Sequence, residues 1–217
     1  MNENLQRCIL LYVAAPPKAL SEFLEGLSKP TLMATLTDFL TIYVNDKNSS
    51  RLRELVTLWV CGWEPHEAKL GYNGYRLTFP EGPREWCEVK PQNTTNPKKK
   101  LDGGGSFNDY TPERWENDKR ADPTLLVSGF VHGKLIYVFE IKFSCIAERL
   151  YHLLRKRFPE ARKKGEYLRS ASFSLRDYRN CGSLKVAYLR ADWEDFAAYL
   201  SRHLHNFLSE CRPLQNT

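Results

Sequence analysis

In the first sixty residues apolar side chains recur every three or four positions, the spacing of helices with one buried face. Pro16-Pro17 ends an opening helix, and Leu20, Phe23, Leu24 and Leu27 stripe the next. Pro30 suits the first turn of a third, which carries Leu32, Leu36, Phe39, Leu40 and Tyr43 and stops near Asn45-Asp46. Ser49 or Ser50 can cap a fourth, lined on one side by Leu52, Leu55, Val56 and Trp59.

Beyond Gly62 the period shortens to two. Tyr72–Phe79 alternates, Pro80, Gly82 and Pro83 turn the chain, and Glu85–Lys90 forms a second short strand. The stretch 91–108 is polar, basic and rich in Gly and Pro, and is expected to be a long exposed loop. Thr111 caps a helix reaching about Arg120. Leu125–Val131 and Lys134–Phe143 predict a hairpin turning at His132-Gly133, followed by a helix over Ile146–Phe158. Two strands, Tyr167–Leu175 and Leu184–Leu189, precede a closing helix from about Asp192 with Trp193, Phe196, Leu200, Leu204 and Phe207 as its core stripe. The order describes an α/β protein: a helical N-terminal segment over 1–62, then a mixed-sheet core over 63–217, together one compact domain.

The charge is unevenly spread. Between Arg149 and Arg169 eight Lys and Arg oppose two acids, Glu160 and Glu166, an excess as large as the net +6 of the whole chain. A second cluster is Lys98-Lys99-Lys100. Local cationic clusters suit a polyanionic partner, and Lys98, Lys99, Lys100, Arg155 and Lys156 are the candidate contacts to nucleic acid. No apolar run reaches the length of a membrane helix, and no convincing signal peptide opens the chain, so a cytoplasmic location is expected. The six cysteines never approach a C-x-x-C spacing, which leaves a zinc site unsupported and makes free buried thiols the expectation.

The local signal for chemistry is Glu88-Val89-Lys90, in REWCEVKPQN at the end of a strand. Side chains two apart on a strand share a face. The Glu88 carboxylate and the Val89 carbonyl are hard oxygen donors for Mg²⁺, and the Lys90 ammonium can stabilise an attacking hydroxide or the charge developing on a phosphate.

In this arrangement the sequence resembles the PD-(D/E)XK nucleases, and type II restriction endonucleases in particular. In that pattern an acid on the first arm of a hairpin joins E-x-K on the second, and the matching position here is Asn73, in KLGYNGYR. It departs from the family, because a neutral amide binds metal less well than a carboxylate; Glu67 is the nearest other acid. The resemblance spans roughly residues 50–190 and rests on a short motif. It implies a restriction-endonuclease-like core, Mg²⁺ held by Glu88, Val89 and Asn73, catalysis by Asn73, Glu88 and Lys90, a homodimer, and sequence-specific cleavage of double-stranded DNA. The alternative is a non-catalytic DNA- or RNA-binding protein on the same fold.

A second copy of the motif stands at Glu140-Ile141-Lys142. Its preceding arm offers Ser128 and no acid, with Asp122 and Asp109 further back. The glycines 103–105 lack the Lys-Ser/Thr of a phosphate loop and are expected to be mobile. The five histidines have no metal-ligand spacing, and Ser170–Ser174 has no nucleophile-elbow pattern.

Overall fold

The computed structural model describes residues 2–45, 50–66, 71–160 and 162–211. Four helices come first: α1 (Glu3–Ala14), α2 (Pro17–Glu25), α3 (Lys29–Asn45) and α4 (Arg51–Val60). They follow the apolar spacing, and Pro17 sits where a missing N–H costs nothing, in the first turn of α2. Asn2 caps α1 with its side-chain oxygen on the Asn4 N–H at 2.9 Å.

A six-stranded sheet follows, made of β1 (Glu64–Pro65), β2 (Gly74–Leu77), β3 (Arg84–Thr94), β5 (Thr124–Val131), β6 (Lys134–Lys142) and β8 (Lys185–Leu189), side by side in that order. All neighbours are antiparallel except β3 and β5, which run parallel from Cys87↔Thr124 to Thr94↔Val131. The parallel pair requires a crossover, and this one carries β4 (Gly105–Tyr110) and α5 (Pro112–Ala121). β4 pairs antiparallel with β7 (Leu168–Phe173) as a separate two-stranded ribbon. α6 (Ser144–Arg157) and the short α7 (Leu175–Tyr178) flank β7. A 3₁₀ helix (Trp193–Tyr199) and α8 (Arg202–Glu210) end the described chain.

The sheet is covered on both faces. On one, Leu5, Ile9, Val13, Val56 and Leu58 pack against Cys87, Val89, Leu126, Leu135 and Val138. On the other, Leu125, Val127, Tyr137, Phe139 and Ile141 meet Phe107, Ile146, Leu150, Phe173, Leu175 and Leu204. Burial on both sides explains why β5 and β6 read as continuous apolar runs. α3 is the exception, because Leu32, Met33, Leu36, Leu40 and Tyr43 on it stay exposed.

Three sequence-based expectations change. The stretch 91–108 is not one loop: β3 continues to Thr94, and β4 begins at Gly105. Pro91 is accommodated because β2 pairs with β3 only as far as Cys87, so beyond it β3 has a strand on one side only. The closing helix is two helices, split where Leu200 bridges Leu101 and the Ser201 N–H donates to the Leu101 carbonyl at 2.8 Å. Ser201 then caps α8 through the Leu204 N–H. Finally, Cys145 and Cys181 form a disulfide where free thiols were expected. The end of β6 and the start of β8 are paired, Glu140↔Lys185, so the residues just beyond each come to the same corner of the sheet. Cys8, Cys61, Cys87 and Cys211 remain free, and burial raises the thiol of each above its ordinary value. No helix among the described residues is long and apolar enough to cross a membrane.

Candidate active site

Alternation along β3 sorts its side chains. Cys87 and Val89 face the N-terminal helices, so Glu88, Lys90 and Gln92 project to the other side, toward β4 and α5. The Lys90 Nζ lies 2.7 Å from Glu88 Oε1, and both side chains are almost covered, 12% and 9% exposed. An ion pair this buried needs further partners, since the lost hydration of two charges is costly. The Lys90 ammonium lies 4.1 Å from the centre of the Phe107 ring of β4. Arg114 of α5 places Nη2 3.6 Å from Glu88 Oε1.

The same guanidinium reaches a second buried carboxylate: Arg114 Nε stands 3.7 Å from Asp118 Oδ2. Asp118 accepts hydrogen bonds from the Tyr110 hydroxyl at 3.1 Å and the Tyr72 hydroxyl at 3.4 Å. Burial raises the Asp118 carboxyl above its ordinary range, against the pull of Arg114 and the tyrosines. Burial, reinforced by the Asp118 charge and hydrogen bond, likewise pushes the Tyr72 phenol up to about 12. Neither Arg114 nor Asp118 was legible as a site residue. PERWENDKR reads as a solvated charged helix, and its one clue is the spacing of four that puts Arg114 and Asp118 on one face, next to the buried Trp115 that packs on α6.

Asn73 lies at the entry to β2. Its Oδ1 accepts the Val89 N–H at 2.7 Å, and its Nδ2 donates to Glu54 Oε2 of α4 at 3.3 Å. It thereby ties the strand carrying Glu88 and Lys90 to the helix behind the sheet. Glu67 lies outside the described residues.

The second E-x-K lies on the opposite face of the sheet. Lys142 Nζ binds Glu85 Oε1 at 2.7 Å and Thr124 Oγ1 at 3.0 Å. Arg76 holds Glu85 at 2.7 Å and Glu140 at 3.5 Å while stacking over Trp63. Burial alone would raise the Glu85 carboxyl; hydrogen bonds from Lys142, Thr124 and Arg76 outweigh it and hold the group at about 2. Ser128 is buried and shares a hydrogen bond of 2.8 Å with Thr57. Asp122 accepts the Ser144 N–H at the start of α6, and Asp109 is exposed on β4.

The glycine run is a close-packed segment. A Cβ on Gly105 would lie 2.7 Å from Lys90 Cβ, and one on Gly104 would lie 2.2 Å from the Phe173 carbonyl oxygen. Gln92 braces it, donating to Asp102 at 2.7 Å and accepting the Asp102 and Gly104 N–H groups at 3.3 and 3.4 Å. Gly105 is therefore pressed against the strand that carries Glu88 and Lys90, and Gly104 against the end of β7. Lys98, Lys99 and Lys100 are exposed on the preceding turn, and Arg155 and Lys156 on the outer side of α6.

Among the described residues no group of three or more His, Cys, Asp and Glu side chains is arranged to hold a metal. Mg²⁺ does not demand one, because it keeps several waters and is bound through one or two carboxylates plus substrate phosphate. Glu88, with Asp118 across Arg114, fits that pattern of hard oxygen donors. The chain matches no protein-family model and no curated protein in sequence.

Proposed function

We propose that this chain is a Mg²⁺-dependent endonuclease of the PD-(D/E)XK type, hydrolysing phosphodiester bonds in double-stranded DNA. The observation that carries the reading is the Glu88–Lys90 contact of 2.7 Å on one face of a strand inside a mixed sheet, with Arg114 of α5 reaching the same carboxylate. Glu88 would hold the cation, which supplies Lewis acidity toward the phosphate and a more acidic water. Lys90, kept against Glu88 and Phe107, orients the attacking water and opposes the negative charge that builds on the phosphate oxygens. Arg114, 40% exposed, is the more accessible cation and meets the scissile phosphate from the α5 side. Water adds to phosphorus, the bond to the leaving sugar oxygen breaks, and a proton passes to that oxygen. Lys98–Lys100, Arg155 and Lys156 contact the phosphate backbone on either side. A homodimer would place one site on each strand of a palindromic target.

A second reading, a DNA- or RNA-binding protein without catalysis, is favoured by one observation: Asn73, the position of the family's acid, is neutral and already bonded to Val89 and Glu54. Incubating mixed-sequence duplex DNA with Mg²⁺ separates the two. The nuclease reading expects discrete fragments that vanish with EDTA and in Glu88→Ala; intact DNA at all Mg²⁺ concentrations with wild-type protein refutes it.

A further inference from the structure

The ribbon of β4 and β7 has two unlike faces. Its inner face is Phe107, Tyr110, Ala171 and Phe173, all buried, and it forms a wall of the candidate site: Phe107 under Lys90, Tyr110 on Asp118. The outer face follows from alternation as far as Asn108; there the left-handed backbone of Asp109, φ 51°, breaks the period and turns Tyr110 inward opposite Leu168. Ser106 stands opposite Ser172 and Asn108 opposite Ser170, a two-by-two array of polar side chains. The three serine hydroxyls are linked, Ser106 to Ser170 at 2.5 Å, Ser170 to Ser172 at 3.2 Å and Ser172 to Ser106 at 3.4 Å. Beside the ribbon α6 packs on β7, and Arg155, Lys156, Lys163, Lys164 and Arg169 are exposed there without an ion pair among the described residues.

We propose that this outer face enters the major groove of duplex DNA and reads base edges, with Asn108 selecting an adenine. The proposal rests on the DNA-cleaving reading above. Three features support it. The groove, about 12 Å wide, admits a two-stranded ribbon, and six residues of strand extend about 20 Å along it. Short hydroxyl and amide side chains let the ribbon backbone come close to base edges, donating and accepting as the base requires, and an amide pairs bidentately with adenine. The unpaired cations lie beside the ribbon, where phosphates flank a groove, so charge complementarity holds the polar face against the bases. Because the inner face touches Lys90, a base read on the outside lies at a fixed distance from the phosphate cut on the inside.

The test is selection of bound molecules from a random-sequence duplex pool in the absence of Mg²⁺, comparing wild type, Asn108→Ala, Ser170→Ala/Ser172→Ala and Lys163→Ala/Lys164→Ala. Wild type is expected to enrich a site containing an adenine. Asn108→Ala is expected to lose preference for that adenine by roughly 5- to 100-fold while binding unrelated duplex equally well. The double serine variant relaxes a neighbouring position, and the lysine variant weakens all sequences alike. Asn108→Ala and Ser170→Ala/Ser172→Ala selecting the same site as wild type, as sharply, overturns the proposal. So does equal retention of duplex RNA, whose deep narrow major groove excludes a ribbon. Selective binding without cleavage in Mg²⁺ overturns only the catalytic reading; no retention of any duplex overturns both.

Discussion

Asn73 holds the backbone of Val89: its Oδ1 accepts the Val89 N–H at 2.7 Å while its amide donates to Glu54. The residue at the position where the nuclease resemblance expects an acid therefore links α4 to the strand that carries Glu88 and Lys90. An aspartate there keeps the acceptor but loses the donor, and sets a second carboxylate against Glu54, whose side chain is 18% exposed. Without metal, Asn73→Asp is expected to be less stable by about 1–3 kcal/mol. Thermal melts across a Mg²⁺ titration check this. Recovery of the midpoint with Mg²⁺, together with faster DNA cleavage, would place the cation against residue 73 as well as Glu88. Unchanged melting without metal would mean that the Glu54 contact is dispensable.

The two E-x-K pairs face opposite ways, and their variants are expected to separate activity from stability. Glu88→Ala abolishes cleavage and leaves the protein folded, though it strands the Lys90 ammonium. Lys142→Ala cuts normally after allowance for folding and loses about 1–3 kcal/mol, because Glu85 keeps only Thr124 and Arg76. Urea unfolding and DNA digestion on the same preparations check both. The reverse pattern, an inert Lys142→Ala and an active Glu88→Ala, moves the site to the other face.

Glu85 also gives an acid limb to stability. Its folded carboxyl sits at about 2, below the ordinary 4.5, so the folded state binds fewer protons than the unfolded one between those values. The contribution is complete above about 4.5 and is lost as pH falls toward 2. Melting midpoints from pH 6 to 2 are expected to fall in that window, and more gently in Lys142→Met. Equal slopes would show that Lys142 does not hold the carboxyl down.

The disulfide between Cys145 and Cys181 closes a separation of 36 residues, and in the chain-entropy model a loop of that size contributes about 4 kcal/mol. Reduction with dithiothreitol should lower the melting midpoint of wild type and leave Cys145→Ser unmoved. Identical wild-type melts with and without reductant would show that the bond adds nothing to stability.

Neutralising Lys98, Lys99 and Lys100 together should weaken binding to every duplex and flatten the dependence of log affinity on log salt by up to about 3. Fluorescence anisotropy at several salt concentrations measures it. An unchanged slope would assign the phosphate contacts to α6 and the ribbon flank alone.

How much was legible depended on whether a segment's partners were nearby in sequence. The first four helices and the hairpin of β5 and β6 could be read because period and turn residues decide them locally. β4 escaped, since DGGGSFNDY shows glycine and polar residues, and its strand character comes from a partner more than sixty positions away, Ser106↔Ser172. The break at Leu200 escaped for the same reason, as Leu101 supplies it. Glu88 and Lys90 were legible as an alternating pair. Which of the two E-x-K motifs faced the crossover was not, because both read as the end of a strand and only the packing of α5 and β4 distinguishes their sides.

The strand bearing Glu88 and Lys90 gains its second neighbour across a crossover: β3 ends at Thr94 and its parallel partner begins at Thr124. Parallel pairing over such a span pays loop-closure entropy before any ladder bond rewards it. During synthesis β2 and β3 can form their hairpin as soon as both have left the ribosome, but Lys90 and the residues after it have no sheet neighbour until β5 emerges. The wall formed by Phe107, Arg114 and Asp118 also arrives in that interval, and β7, which pairs with β4, comes later still. A growing chain thus carries the acid and the lysine for some time without the enclosure that surrounds them, and the candidate site is completed only when most of the protein has been made.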